Sequence, residues 1–337
     1  MFTPFLTTGI GSLPHTDASE ACRLVLHTFD IPFWPQLPGL SFRELMIPQF
    51  SEGMPFLKVD EKRGTVWIER DGDALTHFYE TYSEDMELPI SETSAKGLHA
   101  FRHEVAGRHF RYLKGHITGP LTFTLGLKET GGRLVYFDEE LREIALMLLK
   151  AKIRWQIRIL QHYADRVVIF IDEPVLSALG TSSFIGVAPE EALRLLRETA
   201  DVIQNAGGIA GIHCCSKADW PLVISSNVRI ISFDAYDYVE TISLYPAEFS
   251  AFLRSGGYLA WGIVPTTEAI QEEDTESIAH RLERGIELLT KSLPSDLLIS
   301  QILLTPSCGT GARSLAETEK VFRILNALGS AMRGRTA

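Results

Sequence analysis

The most strongly patterned stretch of the chain is Val167-Val168-Ile169-Phe170-Ile171, five apolar residues in a row closed by Asp172-Glu173-Pro174. A run that is apolar on both faces predicts a parallel strand buried on both sides. Before it, Leu141, Ile144, Ala145, Leu148, Ile153 and Ile157 recur at helical spacing and predict a long helix within 137–164. The same alternation continues downstream. Strands are predicted at 208–213, 228–234, 258–263 and 301–305, and helices at 189–206, 246–254, 273–293 and 314–333. Upstream, 112–117 reads as a strand running into Thr118-Gly119-Pro120. Residues 7–13 read as a first strand entering a glycine turn, followed by a helix capped by Asp17.

The stretch 30–60 breaks this rhythm. It is rich in proline and aromatic residues (Pro32, Trp34, Pro35, Pro38, Pro48, Pro55) and predicts an ordered excursion over the mouth of the fold, with a short helix near 42–50. A strand at 65–68 and helices at 73–82 and 91–104 complete it. Strands alternating with helices imply parallel βαβ units, and about eight such units fit the chain. The expected fold is therefore an α/β protein of the (β/α)₈ TIM barrel type, with a long insertion after the first helix and the whole chain, 1–337, as one catalytic domain. A doubly wound open sheet is the alternative, but no G-x-G-x-x-G follows the first strand and no P-loop pattern occurs.

Composition narrows the function. The 337 residues are 45% hydrophobic and 22% charged, with a formal net charge of -11, which disfavours sequence-independent nucleic-acid binding. No apolar run approaches the roughly 20 residues that span a bilayer, and Met1-Phe2-Thr3-Pro4-Phe5 has no signal-type pattern, so no membrane association and a cytoplasmic location are expected. In that reducing setting the four cysteines, Cys22, Cys214, Cys215 and Cys308, read as ligands or buried thiols rather than disulfides.

The candidate chemistry gathers at predicted strand ends. His213 and Cys215 share a face if Gly211-Ile212-His213-Cys214-Cys215 leaves a strand, while Cys214 points the other way. With Cys308 from the last strand end they make a ligand set that zinc prefers, with a fourth position for a substrate or a carboxylate. Asp234 ends the next strand, as a fourth ligand or as a loop cap. Asp172 can receive a substrate ammonium or satisfy loop amides. Gly9-Ile10-Gly11-Ser12 can offer amides and a hydroxyl to a carboxylate, and His15 and His116 border the same mouth. A zinc held by two thiolates activates water poorly but keeps a bound thiolate electron-rich, which suits attack on an alkyl group.

Gly9-Ile10-Gly11-Ser12-Leu13-Pro14, Lys114-Gly115-His116-Ile117-Thr118-Gly119-Pro120, Ile171-Asp172-Glu173-Pro174, His213-Cys214-Cys215 and Ser307-Cys308-Gly309 follow one another in an order that resembles the catalytic barrel of cobalamin-independent methionine synthase. The superfamily also holds uroporphyrinogen decarboxylase and zinc-dependent corrinoid methyltransferases. The resemblance implies zinc on His213, Cys215 and Cys308, an amino-acid carboxylate at Ile10, Gly11 and Ser12, and its ammonium at Asp172. Asp234 falls where the synthases carry a glutamate ligand. The chain departs from the family in lacking the second, N-terminal barrel and the loop histidine after the seventh strand, where it reads Trp261-Gly262-Ile263-Val264-Pro265. The function expected from this is a methyltransferase that activates a small thiol, homocysteine or a relative, as in methionine biosynthesis, with a methylated corrinoid on a partner protein as the economical donor. A decarboxylase would need several cations at the strand ends, and a non-catalytic thiol- or corrinoid-binding protein would carry a closed, structural zinc.

Overall fold

The computed structural model describes residues 2–181 and 184–336. Nine strands occur among them: β1 (Leu6–Thr7), β2 (Leu57–Asp60), β3 (Thr65–Ile68), β4 (Phe110–Thr118), β5 (Ala164–Asp172), β6 (Ile209–Cys214), β7 (Ile230–Phe233), β8 (Tyr258–Val264) and β9 (Ile302–Pro306). Seven of them form one sheet in the order β1-β9-β8-β7-β6-β5-β4, and β2 and β3 make a separate antiparallel hairpin. Every neighbouring pair in the large sheet is parallel. Parallel neighbours need crossover connections, and helices supply them, the longest being Glu139–Gln161 between β4 and β5, while a further long helix, Leu315–Thr336, follows β9. No described helix is long and apolar enough to cross a membrane.

Side-chain parity divides the core in two. Val167, Ile169 and Ile171 belong to a large outer core packed beneath the helices, whereas Val168 and Phe170 join Tyr112, Ile230, Tyr258 and Leu303 in a small inner cluster. The sheet is thus curled, with one face against helices and the other lining an interior. Residues that share parity with Val168 and Phe170 point inward, and these include Asp172 on β5 and Lys114 and His116 on β4.

The two outer strands, β1 and β4, are both reached by residues 31–36. Ile31 donates its amide to Thr7 (3.0 Å), Lys114 to Pro32 (2.8 Å), Gln36 to Gly11 (3.0 Å) and Leu13 to Gln36 (2.9 Å), all onto backbone carbonyls. Gly9 makes this approach possible, because a Cβ there would lie 2.3 Å from the Phe33 ring. Part of the expected excursion is therefore an extended connection between β1 and β4. Pro32 and Pro35 carry no amide and interrupt the alternation by which a strand is recognised in sequence. The excursion proper follows this connection rather than the first helix (Ala18–Thr28). It carries the β2–β3 hairpin, a helix at Met46–Ser51 and another at Ala74–Thr81 with no buried residue. The helix expected from residue 91 begins at Lys96, because Ser94 and Ala95 first turn back onto the Ser91 carbonyl.

The first and last elements are tied together. β1 pairs with β9, matching Leu6 to Leu303 and Thr7 to Leu304. Arg333 Nη1 donates to the Phe5 carbonyl and to Asp30 Oδ2, each at 2.8 Å.

Candidate metal centre

His213 is the last inward-facing residue of β6, and Cys215 lies just past the strand on the same side. Cys214 faces the other way, 1% exposed in the outer core, with its thiol 3.6 Å from the Ser216 carbonyl. Cys308 arrives from the far side of the sheet, two residues beyond β9. Its loop is pinned on both flanks. Ser307 donates its amide to the Val264 carbonyl (2.8 Å) and its hydroxyl accepts from the Thr266 amide (3.1 Å). Thr310 donates to the Ser12 carbonyl (2.9 Å). Between them Gly309 packs so tightly that a Cβ would fall 2.1 Å from Ser12 Oγ.

One ligand atom from each of His213, Cys215 and Cys308 lies within 4.8 Å of the others. The imidazole is oriented from behind, its Nδ1 hydrogen-bonded to Ser232 Oγ at 3.0 Å, while the buried Nε2 has no partner among the described residues. The hydrogen bond between the two thiols, with His213 beside them, holds the Cys215 thiol well below its ordinary range, and the same bond pushes Cys308 up. An orphaned imidazole nitrogen and two sulfurs, one already inclined to thiolate, are a donor set that fits zinc.

Asp172 projects from the end of β5 toward this group. Its buried Oδ1 has no partner among the described residues. Burial raises its pKa, opposed by His213 and by Lys114. Glu173, next in sequence, has a different occupation. Its carboxylate accepts from the Leu121 and Thr122 amides, each at 2.8 Å, and from the Thr122 hydroxyl at 2.6 Å, so it caps the helix Pro120–Gly126. Gly119 leaves room for it, since a Cβ there would meet Glu173 Cδ at 2.2 Å.

Asp234 lies outside the group of three. Its Oδ1 accepts from the amides of Tyr236 and Asp237, each at 2.9 Å, as a strand-end loop cap does. Burial pushes its pKa up to about 6. Ile10, Gly11 and Ser12 form a turn whose carbonyls are engaged, Ile10 by Lys114 Nζ (2.5 Å), Gly11 by Gln36 and Ser12 by Thr310, while the three amides donate to no acceptor among the described residues. His15 is buried beyond the turn, and burial lowers its pKa.

Lys114 stands in the motif that runs from it to Pro120, where the sequence alone gives it no role. It is wholly buried, with Nζ 4.5 Å from the centre of the Phe170 ring and 5.3 Å from that of Phe33. Burial lowers its pKa, and Asp172 works against that. The available signal was parity: Lys114 stands between Tyr112 and His116 on one face of a strand otherwise dominated by apolar and small residues.

No family model and no curated protein matches the chain. Among solved structures it is similar to a B12-independent methionine synthase from Shewanella sp. W3-18-1 in complex with selenomethionine, with a TM-score of 0.61, 16% identity and 99% of each chain covered. ZgEngAGH5_4 in complex with a cellotriose (TM-score 0.29, 13% identity, 67% of this chain and 86% of that one) is far more distant. So is a Cellulomonas fimi endo-beta-1,4-mannanase double mutant (TM-score 0.28, 10% identity, 96% and 76%), and neither carries an argument. The chain is an α/β protein with a curled parallel sheet, and its likeness to the B12-independent methionine synthase structure is a likeness of fold along nearly its whole length.

Proposed function

We propose that this protein is a zinc-dependent methyltransferase whose acceptor is a small amino-acid thiol, homocysteine or a close relative. The observation that carries the reading is the convergence of His213, Cys215 and Cys308, from two strand ends far apart in sequence, to within 4.8 Å. In the same reading residues 31–36 act as the second strand of a closed eight-membered ring, which puts every residue of the site at the C-terminal rim where barrel enzymes work. The full-length likeness to a B12-independent methionine synthase supports both.

Zinc, when bound, supplies a Lewis acid that favours the thiolate form of a coordinated thiol at neutral pH. His213 would hold it through Nε2, with Ser232 fixing the proton on Nδ1, and Cys215 and Cys308 through their sulfurs. The free amides of Ile10, Gly11 and Ser12 receive the substrate carboxylate, and Asp172 Oδ1 accepts from its ammonium. Anchored at both polar ends, the substrate swings its sulfur toward the cysteines with little freedom left to lose. Asp234 acts as a displaceable fourth ligand only if it gives up its bonds to Tyr236 and Asp237. The methyl donor in this reading is a methylated corrinoid on a partner protein.

The test is to mix zinc-loaded protein with methylcobalamin and homocysteine and follow corrinoid demethylation by absorbance. Methylation of the thiol that disappears in Cys308→Ser supports the reading. Equal activity in that variant, or no methyl transfer to any small thiol from any corrinoid or folate donor, rejects it.

A further inference from the structure

His116 stands one layer beneath the candidate centre, pointing into the interior from β4. It is 1% exposed, and neither ring nitrogen has a hydrogen-bond partner among the described residues. The ring is nevertheless held firmly. It stacks on Trp34 with centroids 3.8 Å apart, meets Phe50 edge-on at 6.1 Å, and Trp34 is itself tied through Nε1 to Gln156 Oε1 at 3.0 Å. A phenylalanine would fill this slot without leaving polar atoms unpaired. A fixed, buried imidazole with two idle nitrogens points to a partner that the polypeptide does not provide.

The neighbours say what that partner is. A Cβ on Gly11 would sit 3.1 Å from His116 Nδ1, so the ring abuts the turn of free amides at Ile10–Ser12. Ser12 in turn abuts Gly309, the residue after Cys308. Two positions before His116 on the same face, Lys114 places a buried positive charge on the Ile10 carbonyl. His116 and the Lys114 charge thus both lie against the turn, and the carboxylate of Glu173 is fully occupied elsewhere. Burial and then Lys114 lower the pKa of the imidazole, and in either protonation state the ring carries an N–H to donate.

We infer that His116 donates a hydrogen bond to the carboxylate of the amino-acid thiol seated at Ile10–Ser12, and so sets the requirement for an α-carboxylate on the acceptor. The inference rests on the thiol-methyltransfer reading. It makes His116 a specificity residue, with Lys114 balancing the carboxylate's charge from beneath.

The experiment is titration calorimetry of zinc-loaded protein with homocysteine and with 3-aminopropanethiol, its counterpart without the carboxylate. It compares the natural protein, His116→Phe, which keeps the ring stack, and His116→Gln, which restores a donor. Zinc content is measured for each. The expected result is that His116→Phe weakens homocysteine binding roughly tenfold or more, leaves the aminothiol within about twofold, and is partly rescued by glutamine. If His116→Phe leaves the ratio of the two affinities unchanged, or weakens both thiols alike, the inference is overturned while the methyltransferase reading stands. If the natural zinc-loaded protein binds neither thiol, both fall.

Discussion

Gly309 and Ser12 touch so closely that a single added methyl at Gly309 would lie 2.1 Å from the Ser12 hydroxyl oxygen. That hydroxyl also accepts from the Gly311 amide at 3.3 Å. Gly309→Ala therefore forces Ser12 to turn away or the Cys308 loop to shift, and either change moves the two halves of the site apart. The expected cost is about 1–3 kcal/mol in stability. Weaker zinc and thiol binding should accompany it, measured by denaturant unfolding and by chelator competition.

Ser232→Ala removes the hydroxyl 3.0 Å behind His213 Nδ1 and touches nothing at the sulfurs. Zinc affinity should fall about 10- to 100-fold, as when the partner of a metal-bound histidine is lost. Competition against a chromophoric chelator reads this directly. An unchanged affinity would mean that the hydroxyl does not orient the ring.

The two adjacent cysteines should behave oppositely. Cys214→Ala deletes one outward sulfur from the outer core and should cost about 1 kcal/mol of stability with zinc stoichiometry intact. Cys215→Ala should abolish stoichiometric zinc binding with little loss of fold. Elemental analysis of both purified variants separates them.

Glu44 should leave a mark on stability against pH. It is fully buried, accepting from the Leu37 amide (3.1 Å), the Lys96 amide (2.6 Å) and Gln49 Nε2 (3.2 Å), and burial pushes its pKa up to about 7 from 4.5. Between those values the folded state holds the proton more tightly than the unfolded chain. Its contribution is thus fully present below about pH 4.5 and declines as pH rises toward 7, by roughly 3 kcal/mol. Denaturant unfolding across that window should show a shallower fall with pH in Glu44→Gln than in the natural protein, whatever the offset between the two curves.

Much of the scaffold could be read from residue pattern alone. The run Val167–Ile171 and the helical spacing before it suffice to locate β5, because a doubly buried strand has few other ways to be written. The parity rule likewise separates His213 from Cys214 without coordinates. The connection at 31–36 was hidden by its prolines, which remove the amides and the alternation that mark a strand. His116 can be placed at the mouth and Lys114 in a motif from sequence, but what either does was not legible there: their environment is built by Trp34, Phe50 and the Gly9–Ser12 turn, which converge on β4 only in three dimensions. Asp234 shows the limit of positional argument, since its place at a strand end is right for a ligand while its oxygen is bonded to the loop that follows it.

The pairing of β1 with β9, reinforced by Arg333 reaching a carbonyl 328 positions away, has a consequence for synthesis. As the chain leaves the ribosome, β4 to β8 can align in order, each with the strand just made, but the earliest strand, bonded on one side by residues 31–36, has no neighbour on its other side until the last one emerges. Until then the interior that houses Lys114 and His116 stands open on one side, with a buried-type charge facing water. Nascent protein stalled before β9 should accordingly be easy prey for proteases at its leading end and become resistant only when the final strand is delivered.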